Sequence, residues 1–213
     1  MGTPLTVMVL ESHRDVAARA SSKLTARGHT VRRCHEPGEP SFPCNGLGDG
    51  SGCPLDGAVD VALVVRRGVT PRPTGDEDGV TCALRAGLPL VEDGSDLLDP
   101  YAPMLTARVW TGDDVAEVVE RAVTESLAPL ERELEDALGP FLQSAGRAPG
   151  SVRVRAEASG RHLFLHLSGS ELDGTLGGLL GVRASDRARQ GARRWEAVEV
   201  TITSTTRAVD APA

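Results

Sequence analysis

Apolar residues follow two different periods along this chain. Leu5-Thr6-Val7-Met8-Val9-Leu10 and Val59-Asp60-Val61-Ala62-Leu63-Val64-Val65 are short and almost continuously apolar. Runs of this kind mark strands covered on both faces, as in a parallel sheet. Leu88-Pro89-Leu90-Val91 and Ala107-Arg108-Val109-Trp110 repeat the signal more weakly. His29-Thr30-Val31-Arg32-Arg33-Cys34 reads as a strand near an edge, because of its paired arginines. Between these runs the spacing becomes helical. Val16, Ala17, Ala20, Leu24 and Ala26 make a stripe over 13–27, opened by Ser12 and stopped by Gly28. Further helices are expected over 78–86, stopped by Gly87, and briefly over 95–105.

From Asp113 or Asp114 onward, Val115, Val118, Val119, Ala122 and Val123 share one helical face. Pro129 ends or kinks this helix, or starts a new one at its first position. Leu130, Leu134, Ala137, Leu138, Phe141 and Leu142 continue a stripe whose opposite face is acidic. Residues 143–150 read as a linker. The period then becomes two. Val152, Val154 and Ala156 alternate with Arg153, Arg155 and Glu157, and after a Ser159-Gly160 turn Leu163, Leu165 and Leu167 alternate with His162, Phe164 and His166. This predicts a hairpin. A glycine-weakened helix over 173–191 and a strand over 196–203 follow.

Strand and helix alternate in the first part, an order that favours a parallel sheet with helices on both faces. The expected class is α/β: a five-stranded doubly wound parallel sheet, followed by a helix and a small ββαβ C-terminal domain. The expected divisions are an α/β domain over 1–127, a helical linker over 128–148, the ββαβ domain over 149–204 and a frayed tail over 205–213. The stretch 35–58 is rich in Pro and Gly and lacks a usable period, so it reads as a long loop within the first domain.

Thr6-Val7-Met8-Val9-Leu10-Glu11, Leu24-Thr25-Ala26-Arg27-Gly28-His29-Thr30-Val31 and Val59-Asp60-Val61-Ala62-Leu63-Val64-Val65 resemble, in layout, the response-regulator receiver domain, a flavodoxin-like fold. The resemblance covers about 1–125. It implies an acidic, Mg²⁺-holding cluster with a phosphate-accepting Asp at the end of the third strand. This sequence departs from that pattern. Only Glu11 stands at a suitable strand end, the third strand runs into Arg66 and Arg67, and Asp60 lies at its beginning. Val91 and Glu92 stand where the family has Ser or Thr, and Trp110 stands near the place of its Lys. The expectation is a degenerate receiver-like domain that takes no phosphate by the usual route.

Composition narrows function further. Aromatics are 3% of residues and the net charge is -7, so a general nucleic-acid coat is not expected. No apolar stretch approaches the roughly 18 residues a membrane span needs. The amino terminus has no basic start or long apolar run of a secretory signal, and a cytoplasmic protein is expected. Disulfides are disfavoured there, and clustered cysteines more often bind metal or do redox work.

The four cysteines are Cys34, Cys44, Cys53 and Cys82. Their spacing matches no standard zinc or ferredoxin motif, so topology carries the argument. Cys34 ends the second strand, Cys44 and Cys53 lie in the loop that leaves it, and Cys82 lies near the start of the helix after the third strand. All four would meet above the carboxyl edge of a doubly wound sheet, where such folds place ligands. Four thiolates suit an iron–sulfur cluster or Zn²⁺. Pro43 and Pro54 flank two of them, and glycines at 46, 48, 50 and 52 would let backbone approach a cluster. His35 and His13 are substitute ligands. Two other readings stay open: reversible thiol sensing, and cysteines that are merely structural.

No catalytic constellation is visible. Arg66 and Arg67, with Glu11, are candidates to surround an anionic ligand at the same edge. His162 and His166 read as solvent-facing strand residues. The basic stretch from Arg183 to Arg194 is suited to an acidic partner or to the acidic helix of the same chain. The expected function is a non-catalytic regulatory or sensory protein with a cysteine-ligated metal or iron–sulfur site. The alternatives are a protein–protein interaction scaffold with structural cysteines, or an enzyme using the arginine pair. A protein partner or a homodimer is expected, because about 60 C-terminal residues are marginal as an isolated fold.

Overall fold

Continuous Val and Leu runs build the first unit, since strands buried on both faces need apolar side chains at every position. The structure, a computed structural model, describes residues 3–35, 44, 46, 52–68, 71–94, 99–170, 172, 174–191, 193 and 195–205. The rest of the expected 35–58 loop, including Pro43, Gly48 and Gly50, falls outside these residues, as do 95–98 and the tail from 206.

Five strands are β1 (Thr6–Glu11), β2 (Thr30–Arg32), β3 (Val61–Val65), β4 (Leu90–Asp93) and β5 (Ala107–Val109). They form one sheet in the order β2-β1-β3-β4-β5, with every neighbouring pair parallel. Alternation along the strands serves two cores. Val7, Val9, Val61, Leu63, Val65 and Val91 pack with Ala20 and Leu24 of α1 (Ala18–Ala26) and with Val115, Val119 and Ala122 of α3 (Val115–Ser144). Met8, Leu10, Ala62, Val64 and Leu90 pack with Val80 and Ala83 of α2 (Gly79–Arg85).

The second unit contains the later part of α3, then β6 (Val152–Ser159), β7 (His162–Ser170), α4 (Gly174–Arg189) and β8 (Ala197–Thr205). Its sheet has the order β6-β7-β8, and β8 runs parallel to β7 after the α4 crossover. Leu163, Leu165 and Leu167 of β7 are buried, whereas His162 and His166 are exposed. The period-two pattern is therefore realised as a one-sided sheet.

Three details depart from the sequence expectation. First, α1 begins at Ala18, and Ser12 does not cap it. Ser12 Oγ instead accepts the backbone N–H of Arg67 at 3.2 Å. Second, β4 is displaced to Leu90–Asp93, because Pro89 lacks an N–H and enters the sheet only as an acceptor, for Ala62 N at 3.0 Å. Third, α3 runs through both Pro129 and Pro140 as one helix of 30 residues. An interior proline costs about 3 kcal/mol. Fully burying a leucine contributes about 1.5–3 kcal/mol, and Leu134, Leu138 and Leu142 are all within 1% of complete burial. They lie in the core of the second unit, so this stretch, expected as a linker, packs as part of that unit.

Candidate functional site

Cys34 lies two residues past the end of β2, where the chain leaves the carboxyl edge of the sheet. Cys53 precedes a short 3-10 turn over Pro54–Asp56 whose first residue is proline. Cys82 lies one turn inside α2, which begins at Gly79. Together with Cys44, these side chains line a single cavity of about 190 Å³. All four are free thiols; Cys82 is exposed and the other three are half-buried.

Two glycines make this gathering sterically feasible. A methyl group at Gly79 would stand 2.8 Å from Cys34 Sγ and 2.6 Å from Leu10 Cδ2. A methyl at Gly46 would stand 2.9 Å from Cys53 Cβ and 3.5 Å from its Sγ. The approaches to Cys34 Sγ, Leu10 Cδ2 and Cys53 Cβ are closer than van der Waals contact, so backbone comes near these cysteines where a side chain would have to displace them. His35 also lines the cavity, and its Nδ1 is buried with no hydrogen-bond partner among the described residues.

Burial first, and then repulsion from Cys53, Cys82 and Cys44, together push the Cys34 thiol up to about 12. Cys34 by itself therefore holds its proton at neutral pH. A bound cation reverses that preference, because thiolate is the form that ligates metal and binding releases the protons. Among the described residues, no group of three or more His, Cys, Asp or Glu forms a ready-made site for a metal ion.

The arginine pair at the same edge is divided by the strand alternation. Arg66 continues the face that packs on α2 and is buried. Its Nε donates to Glu77 Oε1 at 2.6 Å, its Nη1 lies 3.8 Å from Asp99 Oδ1, and its guanidinium sits 5.5 Å from the Tyr101 ring centroid. It is committed to a buried network and is unsuited to receive an external anion. Arg67 points the other way, is half-exposed, and pairs with Asp93 at 3.2 Å. Glu11 is buried, accepts Ala17 N at 3.1 Å and pairs with Arg33 at 3.2 Å. The three do not converge on one site. His13 lies beside Ser12 Oγ at 3.0 Å and does not line the cysteine cavity.

Sequence reasoning missed the network around Arg66. Glu92 lies opposite Arg108 in the β4–β5 register, and Arg108 bridges Glu92 and Asp99. Glu92, Glu77 and Asp99 have side chains with no exposed surface. Three carboxyls thus face two guanidiniums, and one acid is in excess. Burial, a hydrogen bond to Asp99 and the charge of Asp99 raise Glu92 to about 8, while Arg108 and Arg66 pull against the rise. Its Oε1 has no partner among the described residues. The only signal in the chain was charge inside an apolar strand, which becomes meaningful once the register is known.

The strand order 2-1-3-4-5 and the parallel pairing are those of an α/β protein of flavodoxin-like layout, with a second, smaller three-stranded sheet. Beyond that layout, the chain matches no protein-family model, no curated protein and no solved structure. Among the described residues, no helix is long and apolar enough to cross a membrane.

Proposed function

We propose that this chain is a regulatory or sensory protein whose doubly wound, receiver-like domain carries an iron–sulfur cluster on Cys34, Cys44, Cys53 and Cys82. The observation that carries this reading is the convergence of all four cysteines on one cavity. The volume favours a cluster over a single ion. Zn²⁺ binds thiolates at about 2.3 Å and draws four of them into mutual contact. A group of several iron and sulfide ions instead fills the space between them.

The residues present suit such a group. Gly46 and Gly79 admit close approach, and His35 supplies a buried nitrogen facing the same cavity. Cluster gain, loss or oxidation at the base of α2 is the signal in this reading, through the exposed ligand Cys82. The phosphorylation chemistry of receivers plays no part: Glu11 is engaged with Arg33, and the residue directly after β3 is the buried cation Arg66. A protein partner or a second copy reads the state in the cytoplasm. Support for a partner comes from β8, an edge strand with a largely exposed surface that includes Ile202, and from exposed Leu179 and Val182 of α4.

The test is anaerobic purification of the full chain, with iron, acid-labile sulfide and zinc measured per protein. Iron and sulfide in near-equal amounts are expected, lost in a Cys34→Ser/Cys53→Ser variant. Stoichiometric zinc would replace the cluster with a zinc centre on the same ligands. Metal-free protein that is fully folded would overturn the reading.

A further inference from the structure

A second cavity, of about 590 Å³, opens at the same carboxyl edge and shares no lining residue with the cysteine cavity. Its walls come from four elements. Arg19 and Lys23 project from α1, Arg67 lies just beyond β3, Asp93 ends β4, and Trp110 and Asp113 follow β5. We propose that this cavity binds an organic anion with a planar ring, of the nucleoside-phosphate class.

Charge pairing inside the cavity leaves a cationic surplus. Arg67 is bidentate to Asp93, at 3.2 and 3.3 Å. Asp113 Oδ2 accepts the backbone N–H of Trp110 at 2.9 Å, which shapes the turn after β5. Asp93 is therefore ion-paired and Asp113 holds a backbone amide, so three cations face two carboxylates and one positive charge is in surplus. Arg19 and Lys23 stand four residues apart on one face of α1, and neither has an ion-pair partner among the described residues. In a chain of net charge -7, this surplus is local, and Lys23 is its single lysine. Two adjacent exposed cations at the rim of a half-open cavity attract a phosphate-sized anion through charge-assisted hydrogen bonds.

Trp110 supplies the ring contact. It is 57% exposed, the least buried tryptophan that a chain with 3% aromatics displays. Its backbone is fixed by Asp113, and Arg108 sits 5.5 Å from its ring centroid. A large, anchored, exposed indole in a cavity wall is a stacking surface for a base. The volume lies within the range of about 300–1,000 Å³ typical of small-molecule sites. This differs from the arginine pair expected from sequence: Arg67 contributes and Arg66 does not.

The experiment is a fluorescence titration of the full chain carrying Trp195→Phe, so that Trp110 is the reporter. AMP, adenosine and inorganic phosphate are added separately. AMP is expected to change the emission saturably at sub-millimolar concentration, with adenosine and phosphate each at least tenfold weaker. Arg19→Gln and Lys23→Gln, checked for unchanged melting, are expected to weaken AMP by roughly tenfold each, as the loss of a charge-assisted hydrogen bond does. Phosphate binding as tightly as AMP would overturn the ring contact. Absence of saturable AMP binding, or unchanged affinity in both variants, would overturn the site. Because Cys34, Cys44, Cys53 and Cys82 stay intact, none of these outcomes bears on the cluster.

Discussion

Glu135 Oε1 accepts the backbone N–H of Val154 at 3.0 Å, and Glu131 repeats the contact one pleat further on, with Ala156 N at 2.9 Å. β6 is an edge strand, and its outward donors are satisfied by carboxylates from α3. The acidic face of that helix is thus a cover for a sheet edge. Arg187 of α4 adds an ion pair to Glu133 at 2.6 Å. Glu131→Ala with Glu135→Ala removes both acceptors. The expected result is a loss of about 1–3 kcal/mol per contact in urea unfolding. Self-association by light scattering should rise, since a bare edge invites strand pairing.

Gly79 tests the packing of the cysteine cavity. Alanine at a helix position is ordinarily preferred to glycine by about 1 kcal/mol. Here its methyl would meet Cys34 Sγ and Leu10, so Gly79→Ala is expected to destabilise by about 1–3 kcal/mol. Thermal unfolding would measure it, and iron content per protein should fall in parallel. A stabilised variant would show that α2 does not press on Cys34.

The excess acid at Glu92 has a pH signature of unusual sign. Its folded value is about 8 against an ordinary 4.5. Between those values the native chain holds a proton that the unfolded chain has released. Stability therefore falls as pH rises from about 4.5 to about 8 and levels off above, by a few kcal/mol in total. Glu92→Gln keeps the shape without the charge. It is expected to flatten that slope and to be more stable than the parent at pH near 8, measured by urea midpoints across pH.

Breaking the Arg66–Glu77 pair should be severe. Glu77→Ala leaves the buried guanidinium with less compensation, and removing one partner of such a pair costs about 3–5 kcal/mol. Thr74 would lose the Glu77 carboxylate that accepts its backbone N–H at 2.7 Å as well. An urea midpoint unchanged from the parent would show that water reaches this network.

Leu138→Ala separates a linker from a core. A solvated linker helix would register less than about 0.5 kcal/mol. The buried position in the second unit predicts about 2–5 kcal/mol, read from chemical unfolding.

Much of the fold was legible because burial is written in local periods. Val61–Val65 announced a doubly covered strand, and Leu163, Leu165 and Leu167 a one-sided one. Boundaries were less legible. Pro129 reads locally as a stop, yet α3 continues because Leu134, Leu138 and Leu142 are buried by residues far away in sequence. At the candidate site, strand ends were enough to gather the cysteines on one edge. They were not enough to separate Arg66 from Arg67, because that depends on which face each residue takes once β3 ends.

The residue order alone therefore determined the alternation of strands and helices and the all-parallel character of the first sheet. These follow from side-chain period and from where each strand must end. The pairing of Glu92 with Arg108, the capture of Arg66 by Glu77, and the covering of β6 by Glu131 and Glu135 came with the three-dimensional arrangement. Each joins residues from separate elements, and a charge finds its partner only after register and packing have brought the two side chains within reach.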